Sequence, residues 1–194
     1  SQFASPSKNL YVYGGCSQWG VQVGYMPSMA INGLIVENIS GDGLSLQNMS
    51  HMKLSSATLQ DIGSHGIDID KVKWVDIDSG TIDSNGGYGI QVDEDTMLNA
   101  AGNLTISNNT SGGIIAKNHS VVALTNVDGS NTGYGLELQT GSYATITSAT
   151  GLTGTTADAT INGGTTDLSW ATDFGSDGDI AVNVDNNCRI ERAD

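Results

Sequence analysis

The sequence predicts an all-β solenoid in which short parallel strands stack coil upon coil. The first evidence is a phrase of four residues, made of a glycine, an aliphatic residue, a free position and a small or aliphatic residue. It occurs at Gly20–Val23, Gly43–Leu46, Gly66–Ile69, Gly89–Val92, Gly113–Ala116 and Gly135–Leu138. The glycines are 23, 23, 23, 24 and 22 residues apart. A fixed period of this length indicates that each repeat is one supersecondary unit that stacks on its neighbours.

Composition is the second observation. The chain has 194 residues, 26 of them glycine and only 2 proline. With its many Ser, Thr, Asn and Asp residues, this mixture favours short strands joined by tight turns, because Gly and Asn tolerate the left-handed backbone that such turns need. The length is sufficient for one domain with a continuous core.

The third observation is that each coil contains two further apolar runs besides the glycine phrase. One run precedes the phrase, at Leu34–Val36, Thr58–Leu59, Thr81–Ile82 and Leu104–Ile106. Another lies earlier in the coil, and its members are Met52 and Leu54, Trp74, Val75 and Ile77, and Val121 and Val122. Three short strands in about 23 residues predict a triangular coil. Residues 1–9 are expected to be an irregular lead-in, and Leu10–Tyr13 the first strand of an incomplete coil.

Period-2 alternation along the phrase predicts which side chains face the core. The positions one and three residues after each glycine are expected to point inward, and those two and four residues after it to point outward. The inward set is Val21/Val23, Leu44/Leu46, Ile67/Ile69, Ile90/Val92, Ile114/Ala116 and Leu136/Leu138. The outward set is Gln22/Gly24, Ser45/Gln47, Asp68/Asp70, Gln91/Asp93, Ile115/Lys117 and Glu137/Gln139. We expect the outward face to be the working surface.

Polar residues mark a corner five residues before the glycines, at Asn38, Asp61, Ser84 and Asn108. Stacked side chains of this kind can hydrogen-bond along the solenoid and satisfy buried turn amides.

The glycine phrase is absent after about Ser142, and we expect the 23-residue period to fail there. Residues 143–194 are therefore predicted to form a separate β-structured C-terminal cap after the coils of residues 1–142. Short strands are expected within Tyr143–Gly154, Thr160–Asn162, Gly178–Val184 and Cys188–Glu191, with a loop that holds Trp170 and Phe174. Because solenoids need capped ends and the first repeat begins so early, we expect the chain to be a piece of a longer protein, cut or processed at its N-terminus.

The charge balance excludes several partners. Seven basic and 21 acidic residues give a net charge of −14, so nucleic acid and anionic membrane surfaces are not expected as partners. The simplest interpretation of the acidity is solubility in a virion, secreted or otherwise exposed protein. No apolar run reaches transmembrane length, and the first residues lack a signal-peptide pattern. Cys16 and Cys188 lie at opposite ends of the chain, so two isolated thiols are expected rather than a disulfide.

Three aspartates on the outward face suggest hydrolytic chemistry. Asp70 and Asp93 occupy the same place in adjacent coils, about 4.8 Å apart, and Asp68 lies on a diagonal of roughly 7–8 Å to Asp93. Glycoside hydrolysis uses two carboxylates about 5–5.5 Å apart for retention and about 6.5–9.5 Å apart for inversion. Crowding raises the pKa of one member, and we predict Asp70 as the acid with Asp93 or Asp68 as the base. The alternative is a solvated acidic face or a calcium site; otherwise no metal or cofactor is expected.

A column of corner residues precedes the repeat glycines, namely Trp19, Asp42, His65, Tyr88, Gly112 and Tyr134. Their rings either stack on sugar faces or pack the corner as an internal aromatic ladder. His65 is the best general-base candidate, while His51 and His119 are expected in connecting loops. The predicted substrate-binding residues are His65, Tyr88, Gln91, Lys117, Tyr134 and Glu137.

Other chemistries find little support in the sequence. Lyases neutralise an acidic sugar with Lys, Arg or calcium, and the few basic residues here favour hydrolysis of a neutral or weakly charged polymer. The segment Asp76–Gly80 begins like a calcium loop, but Ile82 and Asp83 do not continue it. There is no zinc cluster, P-loop or nucleophile elbow. Ice binding is disfavoured because the outward positions of the phrase lack threonine columns.

The repeats resemble right-handed parallel β-helices of the pectate-lyase-like type. The segments that carry this resemblance are IGSHGIDI (62–69), NGGYGIQV (85–92) and NTGYGLEL (131–138), and it extends over residues 10–140. It implies about six coils of ~23 residues, on a scaffold that carries lyases, hydrolases, epimerases and plain binding proteins. The segments TGLTGTT (150–156) and GDIAVNVDNNCRIERA (178–193) are similar to the C-terminal ends of bacteriophage tailspike and depolymerase proteins.

That second resemblance implies a homotrimer in the phage tail, or an otherwise extracellular protein, that binds bacterial surface polysaccharide such as capsule or O-antigen and cleaves it. The chain has too few coils for a whole tailspike, so the family's active site can lie in a part that is absent here. The alternatives are a non-catalytic receptor-binding or trimerisation module, and a secreted bacterial β-helix lyase or hydrolase.

Overall fold

The computed structural model describes residues 10–147, 151–163, 165–167, 180–183 and 189–191. The 23 strands of the described residues form three parallel sheets, and from Leu10 to Asp167 successive strands pass from one sheet to the next in rotation. Every strand pair that the structure describes is parallel, for example Leu44↔Ile67 and Ile67↔Ile90 between successive coils. The predicted triangular solenoid of about six turns of ~23 residues is confirmed.

Sheet A contains the strands that precede the glycine phrase. They are β1 (Leu10–Tyr13), β4 (Leu34–Glu37), β7 (Ala57–Gln60), β10 (Gly80–Asp83), β13 (Leu104–Ser107), β16 (Val127–Asn131) and β19 (Gly151–Gly154).

Sheet B contains the glycine phrase itself. Its strands are β2 (Trp19–Gly24), β5 (Asp42–Met49), β8 (Ile67–Val72), β11 (Tyr88–Asp93), β14 (Gly112–Ala116), β17 (Tyr134–Gln139), β20 (Ala157–Asn162) and β22 (Ile180–Asn183).

Sheet C completes each coil. Its strands are β3 (Ser28–Asn32), β6 (His51–Ser55), β9 (Val75–Ile77), β12 (Met97–Ala100), β15 (Val121–Thr125), β18 (Tyr143–Thr147), β21 (Thr165–Asp167) and β23 (Arg189–Glu191).

The core is a set of aliphatic columns that run along the solenoid axis. The predicted inward residues from Leu44 to Leu138 are at most 1 % exposed. In the first coil Val23 is 7 % exposed and Val21 is only partly buried. Each fully buried Leu or Ile contributes about 1.5–3 kcal/mol relative to an exposed one. Apolar burial is therefore shared by all three sheets and continues from coil to coil.

The repeat glycine is required by the close approach of neighbouring coils. A Cβ at Gly43 would lie 2.7 Å from the carbonyl oxygen of Gly66, and one at Gly66 would lie 2.7 Å from that of Gly89. Because successive coils from Gly20 to Gly135 repeat this contact, a side chain at any of these repeat glycines would meet backbone. The sequence period is thus the direct signature of coil stacking.

The polar ladder lies one residue later than the sequence predicted. Asn38, Asp61, Ser84 and Asn108 are exposed turn residues with left-handed φ values between 55° and 57°. A residue in that conformation turns the chain, so the side chain that faces the interior is the following one. The Asn ladder consists of Asn85, Asn109 and Asn131, which are at most 4 % exposed.

The Asn ladder satisfies buried turn amides, as expected of a polar corner. Asn85 Nδ2 donates to Asn109 Oδ1 at 2.8 Å, and Asn109 Nδ2 donates to Asn131 Oδ1 at 2.9 Å. The backbone N–H groups of Ile62, Asn85 and Asn109 donate to the amide oxygen of the next coil at 3.1–3.2 Å. In the two earlier coils the same place holds the buried Ile39 and Ile62.

The expected loss of the period after Ser142 is wrong. Tyr143, Gly151 and Ala157 begin strands that pair in register with sheets C, A and B, and Tyr134↔Ala157 preserves a 23-residue step. The glycine phrase disappears there because Asp158 takes the place of the repeat glycine. Strands β22 and β23 coincide with two predicted segments and extend sheets B and C. That residues 143–194 act as a cap stays a prediction. Trp170, Phe174 and Cys188 lie outside the described residues.

Candidate functional site

The outward face of sheet B brings the predicted site residues together. Asp68 lies beside Gln91, and Asp70 lies beside Asp93, in the register of β8 and β11. Gln91 is followed by Ile115 and Glu137 in the next two coils. The predicted adjacency of Asp70 and Asp93 and the diagonal relation of Asp68 to Asp93 are therefore present.

This face is more enclosed than a solvated sheet surface. Ser45, Ile115 and Glu137 point away from the core but are 0 %, 2 % and 6 % exposed. Long neighbouring side chains account for this burial, since Gln47 Nε2 donates to Ser45 Oγ at 3.4 Å and Lys117 reaches back to the preceding coil.

A polar row of Asp68, Gln91 and Lys117 crosses three coils. Gln91 Nε2 donates to Asp68 Oδ1 at 2.9 Å, and Lys117 Nζ donates to Gln91 Oε1 at 2.8 Å. Burial raises the pKa of Asp68, and this effect outweighs the opposing hydrogen bond from Gln91. The row therefore holds one carboxyl group with a raised pKa beside amide and ammonium donors.

Asp70 and Asp93 belong to a charged corner at the end of the same strands. Lys71 Nζ lies 2.8 Å from Glu94 Oε2 and 3.7 Å from Asp70 Oδ2. Burial raises the pKa of Asp70, with Glu94 and Asp93 adding to the rise and Lys71 opposing it. Asp93 Oδ1 accepts hydrogen bonds from Glu94 N at 2.8 Å and Asn118 Nδ2 at 2.7 Å.

His65 stacks on Tyr88 at the edge of this face, with ring centroids 6.0 Å apart and an interplanar angle of 24°. Tyr88 N donates to His65 Nδ1 at 3.0 Å, so the ring proton of the neutral form is on Nε2. Burial lowers the pKa of His65 despite the nearby Asp42 and Asp68 carboxylates. The basic nitrogen is thus occupied, and His65 offers an N–H donor instead of the general base that we predicted.

Tyr88 reaches across a whole coil to Glu137. Its hydroxyl donates to Glu137 Oε2, and Gln139 Nε2 donates to Glu137 Oε1 at 2.5 Å. The intervening corner residue is Gly112, where a Cβ would lie 2.8 Å from Tyr88 Cε1. Burial, and then the hydrogen bond to Glu137, raise the pKa of the Tyr88 hydroxyl. Gly112 therefore makes room for this link.

The corner aromatics do not form an internal ladder. Trp19, Tyr88 and Tyr134 are partly exposed, and the buried core of the described residues is aliphatic. Stacking of these rings on sugars stays a prediction.

The two remaining histidines differ in their secondary structure. His119 lies in a turn, as predicted, whereas His51 lies in strand β6 and its Nε2 is 3.0 Å from Asp76 Oδ2.

Several features near the site were not predicted. A depression of about 580 Å³ lies beside Lys71, and its other lining residues are Tyr25, Met26, Pro27, Asn48, Met49 and Ser50. Trp74 and Asp76 lie on the outward face of sheet C, where Asp76 gathers several hydrogen bonds. The alternation of exposed and buried residues in Trp74, Val75, Asp76 and Ile77 indicates this second cluster in the sequence. The glycine phrase does not indicate it, because these residues lie on another sheet.

Within the described part of the chain, no group of three or more His, Cys, Asp or Glu side chains is arranged to hold a metal ion. The described residues include no helix long and apolar enough to cross a membrane.

Comparison with known proteins supports the fold. A family model described as a right-handed beta helix region matches residues 9–110, more than half of the chain. No curated protein and no solved structure matched the chain.

Proposed function

This chain belongs to the right-handed β-helix family, and from that premise we propose that it binds bacterial surface polysaccharide along the outward face of sheet B and hydrolyses it there. β-Helix domains commonly bind or process carbohydrate. The observation that carries the proposal is the polar row of Asp68, Gln91 and Lys117, which is hydrogen-bonded across three coils beside the His65–Tyr88 stack.

The row has the character of a sugar-binding surface. Its amide, carboxyl and ammonium groups can take the place of the water that surrounds sugar hydroxyls. The partly exposed rings of His65, Tyr88 and Tyr134 lie on the same face and can stack on the sugars. A net charge of −14 repels polyanions, so the proposed substrate is a neutral or weakly charged glycan. The same shortage of basic groups favours hydrolysis over elimination.

For the chemical step, Asp68 is the better proton donor of the two outward aspartates on β8. Burial raises the pKa of both carboxyl groups, and the rise is opposed by the neutral Gln91 amide at Asp68 but by the Lys71 cation at Asp70. Asp93, fixed by hydrogen bonds from Asn118 and the backbone of Glu94, is the proposed base. A diagonal separation of roughly 7–8 Å lies in the range of inverting hydrolysis.

In the proposed reaction, a water molecule attacks the anomeric carbon while Asp93 accepts its proton. The glycosidic C–O bond breaks, and Asp68 donates its proton to the departing oxygen, so one water is consumed for each bond cleaved. His65 and Gln91 orient the sugar by hydrogen bonds.

The test measures release of reducing ends from purified capsule or O-antigen. Asp68→Asn and Asp93→Asn are expected to lower the rate at least a hundredfold, whereas Asp83→Asn, which removes a carboxylate on sheet A, leaves it unchanged. Equal activity of wild type and both site variants would contradict the catalytic assignment.

Binding without cleavage is the second candidate function. It is favoured by the hydrogen bonds that already occupy one oxygen each of Asp68 and Asp93. Wild-type protein that retains glycan in a pull-down but never shortens it would establish this function in place of hydrolysis.

The finer proposal is that the chain is the C-terminal part of a bacteriophage tailspike, located in the virion and assembled as a homotrimer. It is supported by the tail resemblance in residues 150–156 and 178–193. A trimer predicts a sedimentation mass three times that of the 20.1 kDa chain, and a mass of one chain would contradict it.

A further inference from the structure

An apolar stripe runs along the outward face of sheet C, on a different side of the solenoid from the polar row. Trp74 precedes β9 and is 42 % exposed. The residues in register with it in the next three coils are Met97, Val121 and Tyr143, and all three are partly exposed. We call these four residues the Trp74 stripe. At about 4.8 Å per coil, it is about 14 Å long.

The Asp76 carboxylate lies beside the indole of Trp74. This carboxylate accepts hydrogen bonds from the Trp74 side chain, from Asn99 Nδ2 at 2.9 Å and from His51 at 3.0 Å. Trp74 nevertheless leaves a large part of its side chain open to solvent, since the residue is 42 % exposed.

Asp76 is a stable acceptor for this purpose. Burial raises its pKa, but the hydrogen bonds from Asn99, Trp74 and His51 outweigh burial and lower it. The carboxylate is therefore ionised at neutral pH and accepts hydrogen bonds beside the exposed Trp74 ring.

Polar groups flank the stripe on one side. Lys53 Nζ lies 2.8 Å from Asp78 Oδ2, and Ser55 Oγ donates to the same oxygen at 3.3 Å. A column of apolar surface next to amide, hydroxyl and paired charged groups matches a pyranose ring, which has an apolar C–H face and polar hydroxyl edges.

The size of the stripe argues against a second copy of the chain as its occupant. It is only three coil spacings long and one column wide, whereas a stable protein interface buries about 800 Å² per partner. Three coil spacings do accommodate a few sugar residues of an extended chain.

We propose that the Trp74 stripe is a second glycan-binding surface, which holds an extended neutral saccharide against sheet C through stacking on Trp74. It is separate from the polar row and does not depend on hydrolysis there. In a protein that acts on a polymer, such a surface holds one part of the chain while another part lies on sheet B.

The experiment is an NMR titration of the ¹⁵N-labelled chain with neutral hexasaccharides of glucose, galactose, mannose and N-acetylglucosamine. The Trp74 indole N–H resonance is assigned from its loss in Trp74→Ala. We expect at least one hexasaccharide to shift this resonance saturably, and Trp74→Ala to weaken its binding about tenfold, the equivalent of about 1.4 kcal/mol.

Two variants sharpen the result. Trp74→Phe retains a ring without the N–H donor and is expected to lose less affinity than Trp74→Ala. Tyr25→Ala removes another exposed aromatic, 81 % accessible, and is expected to leave the titration unchanged.

The proposal is overturned if no hexasaccharide perturbs the Trp74 resonance, or if Trp74→Ala binds as tightly as wild type. A fall in sedimentation mass on Trp74→Ala would also overturn it, because the stripe would then be a contact between copies. Asp68→Asn and Gln91→Ala keep the stripe intact, so unchanged Trp74 shifts in these variants separate failure of the sheet B site from failure of this one.

Discussion

Replacing Asn109 by alanine tests whether the Asn ladder stabilises the solenoid. The amide oxygen of Asn109 accepts from Asn85 N at 3.2 Å and Asn85 Nδ2 at 2.8 Å. Its nitrogen donates to Asn131 Oδ1 at 2.9 Å and to Ile82 O at 3.3 Å. All four bonds are buried, and their former partners would remain without water.

At about 1 kcal/mol of net stability for each bond, Asn109→Ala should lower the free energy of unfolding by about 3–5 kcal/mol. For a chain of this size that corresponds to a fall in Tm of about 6–20 °C. Urea unfolding followed by circular dichroism measures the free energy of unfolding, and a thermal scan followed by the same signal measures Tm. The control is Thr110→Ala, which alters the exposed neighbour and should change the free energy of unfolding by less than about 0.5 kcal/mol.

A loss below about 1 kcal/mol at an unchanged m-value would refute the reasoning, because it would show that the ladder amides are satisfied equally well without their neighbour. A double-mutant cycle with Asn85→Ala extends the test. Since the two residues share bonds, their effects should be less than additive.

Three further predictions follow from the packing and the charges. Ser142 Oγ is buried without a hydrogen-bond partner among the described residues, so Ser142→Ala should leave Tm unchanged or raise it; a clear fall in Tm would reveal a partner. Gly89→Ala places a Cβ 2.9 Å from the Gly113 carbonyl oxygen and 2.4 Å from Ile106 Cγ2; it should cost several kcal/mol in urea unfolding, and an unchanged midpoint would show that the coils can separate. The folded-state pKa of Asp68 is raised, so its contribution to stability is full below the unfolded pKa of about 3.9 and is lost as pH rises through the folded pKa. In urea unfolding, Asp68→Asn should therefore be more stable than wild type at pH 7 but not at pH 3. Equal unfolding curves of the two proteins at both pH values would contradict the raised pKa.

The sequence predicted the coil because its strongest constraint is local and repeated. A glycine such as Gly66 is needed wherever the backbone of one coil passes close to the next, and this need alone sets the 23-residue period. The aliphatic alternation around it then determined which residues face the core. Both arguments use only short-range rules, and both predicted the observed strands.

The sequence placed the polar ladder one residue too early, because the inward–outward alternation of side chains fails where the backbone becomes left-handed. Asn108, with φ 56°, turns outward and passes the interior position to Asn109. In the same way, counting glycines missed the coil after Ser142, where Asp158 accepts a hydrogen bond from Gly154 N at 3.2 Å. Sequence spacing survived in both places, but the residue type that marked it had changed.

The site was predicted in position more accurately than in chemistry. Register alone placed Asp68, Asp70 and Asp93 together on one face. The tautomer of the neutral His65 ring depends on a hydrogen bond from the backbone of the next coil. The hydrogen bond from Tyr88 to Glu137 depends on the absence of a side chain at Gly112. Such contacts between coils cannot be read from residue types in a single repeat.

The change from Ile62 to Asn85 at one corner has a consequence for assembly of the coils during folding. Nearly equivalent repeats can mispair by one whole coil, since every aliphatic column would still find an aliphatic partner. A shift of that kind would place an isoleucine beside an asparagine amide and leave buried N–H donors without acceptors in an apolar corner. The boundary between apolar and polar corners thus disfavours pairing that is shifted by one coil and favours the native order of the coils.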